Sequence, residues 1–380
     1  MTNKSIQLPA PTGSFNVGTT MYHLVDTSRK EIYSYDPEHP FRELVMHMWY
    51  PAKLQGNETF APYISSRLKF HIQEMLAKKE PFLFGGSGYI GADVITHAYL
   101  NASVSDKQLT YPIILFSPGF GGPHYLSTNL FEELASHGYI VAALNHTYIS
   151  EPTEFPDGRI IRGSTQWAQF AQNKEELEKA HNRELITWVK DLQFVMDQLA
   201  LINQQDPHHR FTNKLNLDHI GIMGHSFGGA AAVSLCRIDP RCKAGVDIEG
   251  PLFGENQDIG FDKPFMFLFG QPFTVPAGHP NEDYYNKVIK DNQERIAKLY
   301  ENLTNDVYHI VLKDADHMSF SDWNIITQAK EPGKITHKEV IKITRALLVD
   351  FFDKYLKGKT SVELLDNTNQ EVKIAFKARK

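Results

Sequence analysis

The sequence predicts an α/β chain whose mostly parallel central sheet is flanked by helices and preceded by antiparallel opening strands. Two observations carry this expectation. From about residue 111 onward, short apolar runs without polar alternation, such as YPIILFSPG and YIVAALNH, are separated by helical patterns such as YLSTNLFEELASHG. Runs of that kind suit strands buried on both faces, and strand, helix, strand order makes them parallel. The earlier segments VGTTMYHLVD and RELVMHMWYP are β-branched, aromatic and partly alternating, which fits half-buried strands of an antiparallel hairpin.

The remaining elements follow in order. Residues from about 60 to 109 read as an insert that shapes a substrate entrance: APYISSRLKFHIQEMLAKKE resembles an amphipathic helix, and PFLFGGSGYIGA resembles an apolar loop. Between Asn173 and Gln204, Leu177, Leu185, Trp188, Leu192, Val195, Met196 and Leu199 recur at helical spacing, so one long helix covers the sheet. HIGIMGHS, KAGVDIEG, KPFMFLFG and VYHIVLKD read as further strands, and HKEVIKITRALLVDFFDKYLKG as a closing helix stopped by Gly358. No internal repeat is visible and no linker rich in Pro, Gly or Ser interrupts the pattern. Residues 1–380 are therefore expected to form a single domain, with a cap or entrance insert at about 271–305.

Composition narrows the class. With 380 residues, 42% of them hydrophobic, the chain can bury a sizeable core, and its net charge of -6 is spread out. No dense basic stripe is present to hold a phosphate backbone, which argues against a nucleic-acid partner. MTNKSIQLPAPTG lacks the apolar centre of a signal peptide, so the chain as written points to the cytoplasm, or to secretion if such a peptide had been removed. NET, NAS, NHT and NLT fit the glycosylation sequon, which carries meaning only after export. The two cysteines, Cys236 and Cys242, lie close together in CRIDPRC. Two small buried apolar side chains are expected there in preference to a disulfide, and neither a structural zinc site nor any cofactor is indicated.

The chemistry centres on GHSFGG, Gly224 to Gly229, which fits GxSxG between the strand HIGIM and the helix AAAVSLCRI. A sharp turn from strand to helix would hold Ser226 in a strained conformation at the carboxyl edge of the sheet, with small neighbours permitting close backbone approach. The competing reading is a plain glycine-rich turn, which the strand and helix on either side argue against. A serine hydroxyl needs a base to take its proton, and the base needs a carboxylate. Of the 17 histidines, His317 in KDADHMSF stands on a loop after the last of these strands and before the closing helix, the place a triad in the order Ser, acid, His requires. AGVDIEGP offers two acids, and alternation would point both to one side. Glu249 beside the Gly-Pro turn is preferred, and Asp247, a full pleat earlier, is the alternative. Two backbone N–H groups must face the oxyanion. Phe227 supplies one and Phe120, in the SPGFGG bend, the other.

VGTTMYHLVDTSR, SPGFGG, LASHGYIVAALNH, NKEELEKAHNRELITWV, GHSFGGA, AGVDIEGPLFG and DHMSFSDW together resemble the plasma-type platelet-activating factor acetylhydrolase family. These are the group VII phospholipases A2 and their microbial relatives, serine esterases of the α/β-hydrolase fold. The resemblance spans about Pro9 to Asp322. It implies Ser226 as nucleophile, His317 as base, and Phe120 with Phe227 as oxyanion donors. It also implies an acid four positions after Gly245, which is Glu249, although the family usually carries aspartate there. The stretch from Thr274 to Asn305 is longer than in the lipoprotein-associated members. The activity implied is hydrolysis of short-acyl esters through an acyl-enzyme, including sn-2 acetyl or oxidised acyl chains of phospholipids, with no metal or organic cofactor. Its partners would be a small ester or a phospholipid. From the residues themselves, the helix-like part and the FLFGG loop of Ile64 to Ile90 offer a place for peripheral contact with a lipid surface, although the preferred reading is that both pack on the sheet as core. The rivals are a peptidase or polyester hydrolase of the same fold, and a catalytically silent binding module.

Overall fold

The computed structural model describes residues 5–34, 36–80, 93–164, 174–252, 259–271, 282–331, 335–360 and 372–377. Its frame is an 11-stranded sheet. In chain order the strands are β1 (Asn16–Lys30), β2 (Phe41–Lys53), β3 (Ala98–Leu100), β4 (Ser103–Val104), β5 (Tyr111–Ser117), β6 (Ile140–Asn145), β7 (Leu215–His225), β8 (Cys242–Ile248), β9 (Phe265–Phe269), β10 (Val307–Leu312) and β11 (Val372–Lys377). Across the sheet they run β11-β10-β9-β8-β7-β5-β6-β2-β1-β3, with β4 on β2. The stretch from β6 to β10 is parallel throughout. The opening pair β1 and β2 is antiparallel as expected, but β2 is buried on almost its whole length and not half-buried, because it lies inside the sheet between β1 and β6.

The helices are α1 (Ser66–Ala77), α2 (Thr128–Ser136), α3 (Lys174–Gln204), α4 (Phe227–Ile238), α5 (Glu282–Asn302), the single turn α6 (Trp323–Ile326) and α7 (His337–Lys357). The predicted stripe of α3 from Leu185 to Leu199 is buried, in one cluster with residues of α4; the Leu177 side chain lies outside the described residues. Helices α2 and α7 supply the other cluster, with Leu130, Phe131, Leu348 and Phe352. Every residue of β5 and β6 is buried, which is why those runs show no alternation. Helix α7 opens on a capping box of Thr336 and Glu339 and closes at Gly358 in a left-handed conformation, as expected.

The segment at 60–109 is less of an insert than the sequence suggests, because β3 and β4 join the central sheet. Helix α1 turns Leu68 and Ile72 into a core with Tyr125 and Ile326 and buries Met75, whereas Phe70 on its other face is 61% exposed. The apolar loop containing Phe82 and Phe84 lies outside the described residues. Among the described residues, no helix is long and apolar enough to cross a membrane. Cys236 and Cys242 are free and buried, so the apolar reading holds.

A buried charge cluster fastens the sheet to α3. Asp191 of α3 meets Arg42 of β2 at 2.7 Å and Arg29 of β1 at 2.8 Å, while Arg42 also meets Glu31 at 3.1 Å. Asp191 accepts a further bond from His146 Nδ1–H at 2.9 Å. The cations beside it hold the Asp191 carboxyl far below the usual carboxylate range against the cost of its burial. Removing one member of such a group leaves the others buried without compensation. Asp191→Ala should therefore lower unfolding stability by about 3–5 kcal/mol, to be read from the midpoint of a urea titration.

Candidate active site

The site is built where parallel strands end at their carboxyl edge, the position ligands take in open α/β sheets. Strand β7 runs into α4 with one residue between them, Ser226, whose φ is 55° and ψ is -124°. A side chain in that region costs on the order of 1–3 kcal/mol and persists only if its surroundings fix it. Here the Ser226 N–H donates to Ile248 O at 2.8 Å and the Ser226 carbonyl accepts from Gly229 N–H at 2.8 Å. Gly228 is required because a Cβ there would overlap the Ser117 carbonyl oxygen at the end of β5. From the other side the SPGFGG loop comes so close that a Cβ on Gly119 would lie 3.2 Å from Ser226 Cβ. Ser226 is thus gripped between the ends of β5 and β8.

His317 stands on the loop after β10. Asp316 turns that loop by accepting from Met318 N–H at 3.0 Å and Ser319 Oγ–H at 2.7 Å. His317 Nδ1 lies 3.4 Å from Glu249 Oε2. The other oxygen of Glu249 accepts a short bond from Gly270 N–H at the end of β9. Strand β8 stops at Ile248, and Glu249 has φ 57°, so the strand alternation that would point both acids to one side does not extend to it. That left-handed residue separates the two carboxylates. Asp247 remains in the sheet, fully buried, accepting from Gly250 N–H at 2.8 Å, with Oδ2 lacking a partner among the described residues. Burial, with the charge of Glu249 nearby, pushes its carboxyl well above the usual range. Glu249 and not Asp247 meets the histidine.

Phe120 and Phe227 flank the serine, with rings edge to face at 5.7 Å. Phe227 is the first residue of α4, where N–H groups point out along the helix axis. Phe120, Ser226 and His317 line one narrow recess. Beside it opens a cavity of about 720 Å³ that Ser226, Glu249 and His317 share with Phe269, Val311 and, from α5, Ile289, Ile296 and Tyr300. The stretch expected as an entrance insert at 271–305 therefore supplies a wall of this cavity, with residues 272–281 outside the described residues. Among the described residues no group of three or more His, Cys, Asp or Glu is placed to hold a metal.

Two supports were not foreseen from the sequence. His225 donates from Nε2–H to the His317 carbonyl at 2.8 Å, with ring centroids 4.7 Å apart. Burial, and then the neighbouring His317, lower its pKa to about 3, so the imidazole is neutral and able to hold this tautomer. The second support is a buried row resembling a triad, Asp191, His146 and Ser117. With Nδ1–H committed to Asp191, His146 accepts from Ser117 Oγ–H at Nε2, 3.0 Å away. All three are inaccessible, and His146 stacks on Trp188 at 3.9 Å, leaving no room for a substrate. The row instead fixes the end of β5 from which the SPGFGG loop leaves. In the sequence these histidines are indistinguishable from the rest, because their meaning lies in partners 45 and 92 residues away.

Buried imidazoles give the fold an acid limit. His225 and His124 are held at about 3 and about 4, below the ordinary 6.5, chiefly by burial. Between those values and 6.5 the unfolded chain binds more protons than the folded one, so stability is fully present above about 6.5 and is lost as pH falls. The melting temperature should drop between pH 7 and pH 4. His225→Gln, which keeps an N–H donor, should flatten part of that slope and retain most of the parental turnover. His225→Phe, which frees the His317 carbonyl, should lower kcat about tenfold or more, since small displacements of catalytic groups are costly. Equal turnover in the two variants would mean that the bond does not position His317.

The chain matches a family model described as platelet-activating factor acetylhydrolase, isoform II, over residues 1–373. It is 27% identical to a probable 1-alkyl-2-acetylglycerophosphocholine esterase of Arthroderma benhamiae, over 98% of this chain and 94% of that one. It is likewise 27% identical to the platelet-activating factor acetylhydrolase of Bos taurus, over 92% of this chain and 77% of the relative. Among solved structures, a ferulic acid esterase from Streptomyces cinnamoneus superposes with a TM-score of 0.76 at 29% identity, covering 98% of this chain and 99% of the other.

Proposed function

As the chain belongs to the platelet-activating factor acetylhydrolase, isoform II, family and is a serine ester hydrolase of the α/β-hydrolase fold, we propose that Ser226 is its nucleophile, His317 its general base and acid, and Glu249 the carboxylate that orients the imidazole. The observation that supports this most is the approach of Glu249 Oε2 to His317 Nδ1 at 3.4 Å while Oε1 is held by Gly270. A carboxylate fixed at one oxygen directs the other to Nδ1–H, which leaves Nε2 of the imidazole bare to receive the Ser226 proton. The Ser226 alkoxide forms a bond to the ester carbonyl carbon, and the tetrahedral oxyanion is met by the Phe120 and Phe227 N–H groups. Collapse breaks the bond to the alcohol oxygen, which leaves with the proton from His317. Water, deprotonated by His317, then releases the acid and restores Ser226.

The substrate class is short-acyl esters, with sn-2 short or oxidised acyl chains of phospholipids as the finer reading. The names of the fungal and bovine relatives support it, and so does a mostly apolar cavity of about 720 Å³ beside the serine. A second reading, esters of an aromatic acid, is favoured by Phe269 and Tyr300 in that cavity together with the likeness to the ferulic acid esterase. Turnover of p-nitrophenyl acetate, a 1-alkyl-2-acetyl phospholipid and methyl ferulate, compared by kcat/KM, separates the two; a preference for aminoacyl amides would overturn both.

Ser226→Ala should keep the fold and lose several orders of magnitude in turnover, with no labelling by a fluorophosphonate. His317→Ala should be about as damaging, and the double variant no worse than either alone, because the pair acts as a unit. Additive losses would point to another base. For the acid, Glu249→Gln should cost on the order of 10³ to 10⁴ in turnover. Asp247→Asn changes a buried side chain that does not meet the histidine and should cost at most about tenfold. The reverse ranking, in variants whose circular dichroism matches the parent, would move the acid to Asp247.

A further inference from the structure

A second cavity, of about 610 Å³, lies across the 3-10 turn His124–Ser127 from the serine. His124 and Tyr125 of that turn line it, whereas Leu126 and Ser127 line the recess at Ser226. Ser226, Glu249 and His317 are not among its walls. Its floor is one face of the sheet edge: the register sets Thr19 opposite Trp49 and Met21 opposite His47, with Leu100 beside Thr19. Leu68 of α1 forms part of the opposite wall, and most of the lining is apolar.

The polar groups of this cavity form an ordered chain. The backbone N–H of His124 can only donate, so the Asn145 side-chain atom 2.9 Å from it is the amide oxygen. That same oxygen lies 2.8 Å from His124 Nδ1, which must therefore carry a proton. Burial keeps His124 neutral, so its Nε2 is bare and accepts from His47 Nδ1–H at 3.0 Å. His47 is likewise kept neutral by burial, and among the described residues its side chain makes its hydrogen bond through Nδ1 alone. A bare Nε2 acceptor is left on a residue lining the cavity. Thr19, only 3% exposed, lines the same space and has a buried Oγ1 with no hydrogen-bond partner. The two residues are diagonal neighbours on one sheet face. The charged residues of the lining are engaged elsewhere: Glu154 accepts from Ser65 Oγ–H at 2.6 Å, and Arg210 donates to Asn101 O and Thr20 Oγ1 at 3.3 Å.

We propose that this cavity is a second ligand site, taking a neutral, mostly apolar alcohol or phenol whose O–H donates to His47 Nε2 and whose oxygen accepts from Thr19 Oγ1–H. An ion is disfavoured because both imidazoles are uncharged and Glu154 and Arg210 already have partners. A hydroxyl satisfies in one step the acceptor and the donor that the fold leaves open, and the apolar walls take up the remainder of the molecule.

The test is calorimetric titration of 4-propylphenol and of its methyl ether into protein inactivated by a fluorophosphonate, so that the cavity at Ser226 is obstructed. One equivalent of the phenol should bind, and the ether, which lacks the donor, at least tenfold more weakly. Thr19→Val should weaken the phenol about threefold to tenfold while p-nitrophenyl acetate turnover stays at the parental level. His47→Phe should abolish binding; if it fails to fold, the Thr19 variant and the ether still decide. Equal binding of phenol and ether, an unchanged affinity in Thr19→Val, or no binding at millimolar phenol would each overturn the assignment. Loss of esterase activity in a Ser226 variant has no bearing on it, so the two readings fail separately.

Discussion

The ion pair between Arg42 and Asp191 joins the long helix α3 to the opening strands, and from it the geometry of the serine can be followed outward. Asp191 fixes the His146 tautomer, His146 fixes the Ser117 hydroxyl, and Ser117 ends the strand against which the serine turn is packed. Charges taken out of water stabilise a fold only when each has a partner, so this cluster permits few arrangements of helix and sheet. Trp188, stacked on His146 and set edge to face against Phe227 at 4.9 Å, carries the same constraint to the first residue of α4. A polar cluster thus sets the position of a backbone turn that it reaches only through the end of β5.

The turn itself stores strain. Ser226 and Glu249 both hold positive φ, near 55° and 57°, and the two are linked through the Ser226 N–H bond to Ile248 O. Leaving the extended conformation one residue after Ile248 brings Glu249 to His317, while Asp247, still within the sheet, is sealed in with its carboxyl pushed well above the usual range. The longer side chain compensates for the backbone reversal.

Family membership and the superposition with a ferulic acid esterase agree on ester hydrolysis, and they set aside the reading as a catalytically silent module. Here α5 supplies one side of the cavity at Ser226, whereas the 3-10 turn His124–Ser127 divides the serine recess from a separate space with its own polar chain.

Much of this was legible in the sequence, since burial on two faces imposes uninterrupted apolar runs and the sharp strand-to-helix turn at Ser226 imposes the small residues of GHSFGG. Periodicity likewise marked α3 and α7, and loop position alone singled out His317. Strand β11 escaped notice because it is short and follows the segment after α7 at the sheet edge, and α5 because its charged composition resembles an exposed insert. The choice between Asp247 and Glu249 could be ranked but not decided from alternation, because alternation assumes a strand that continues, and this one ends at Ile248. The roles of His225, His146 and His47 depended wholly on the tertiary structure. An imidazole's tautomer and charge follow from burial and from partners that folding brings in from distant parts of the chain, and no local pattern in the sequence encodes either.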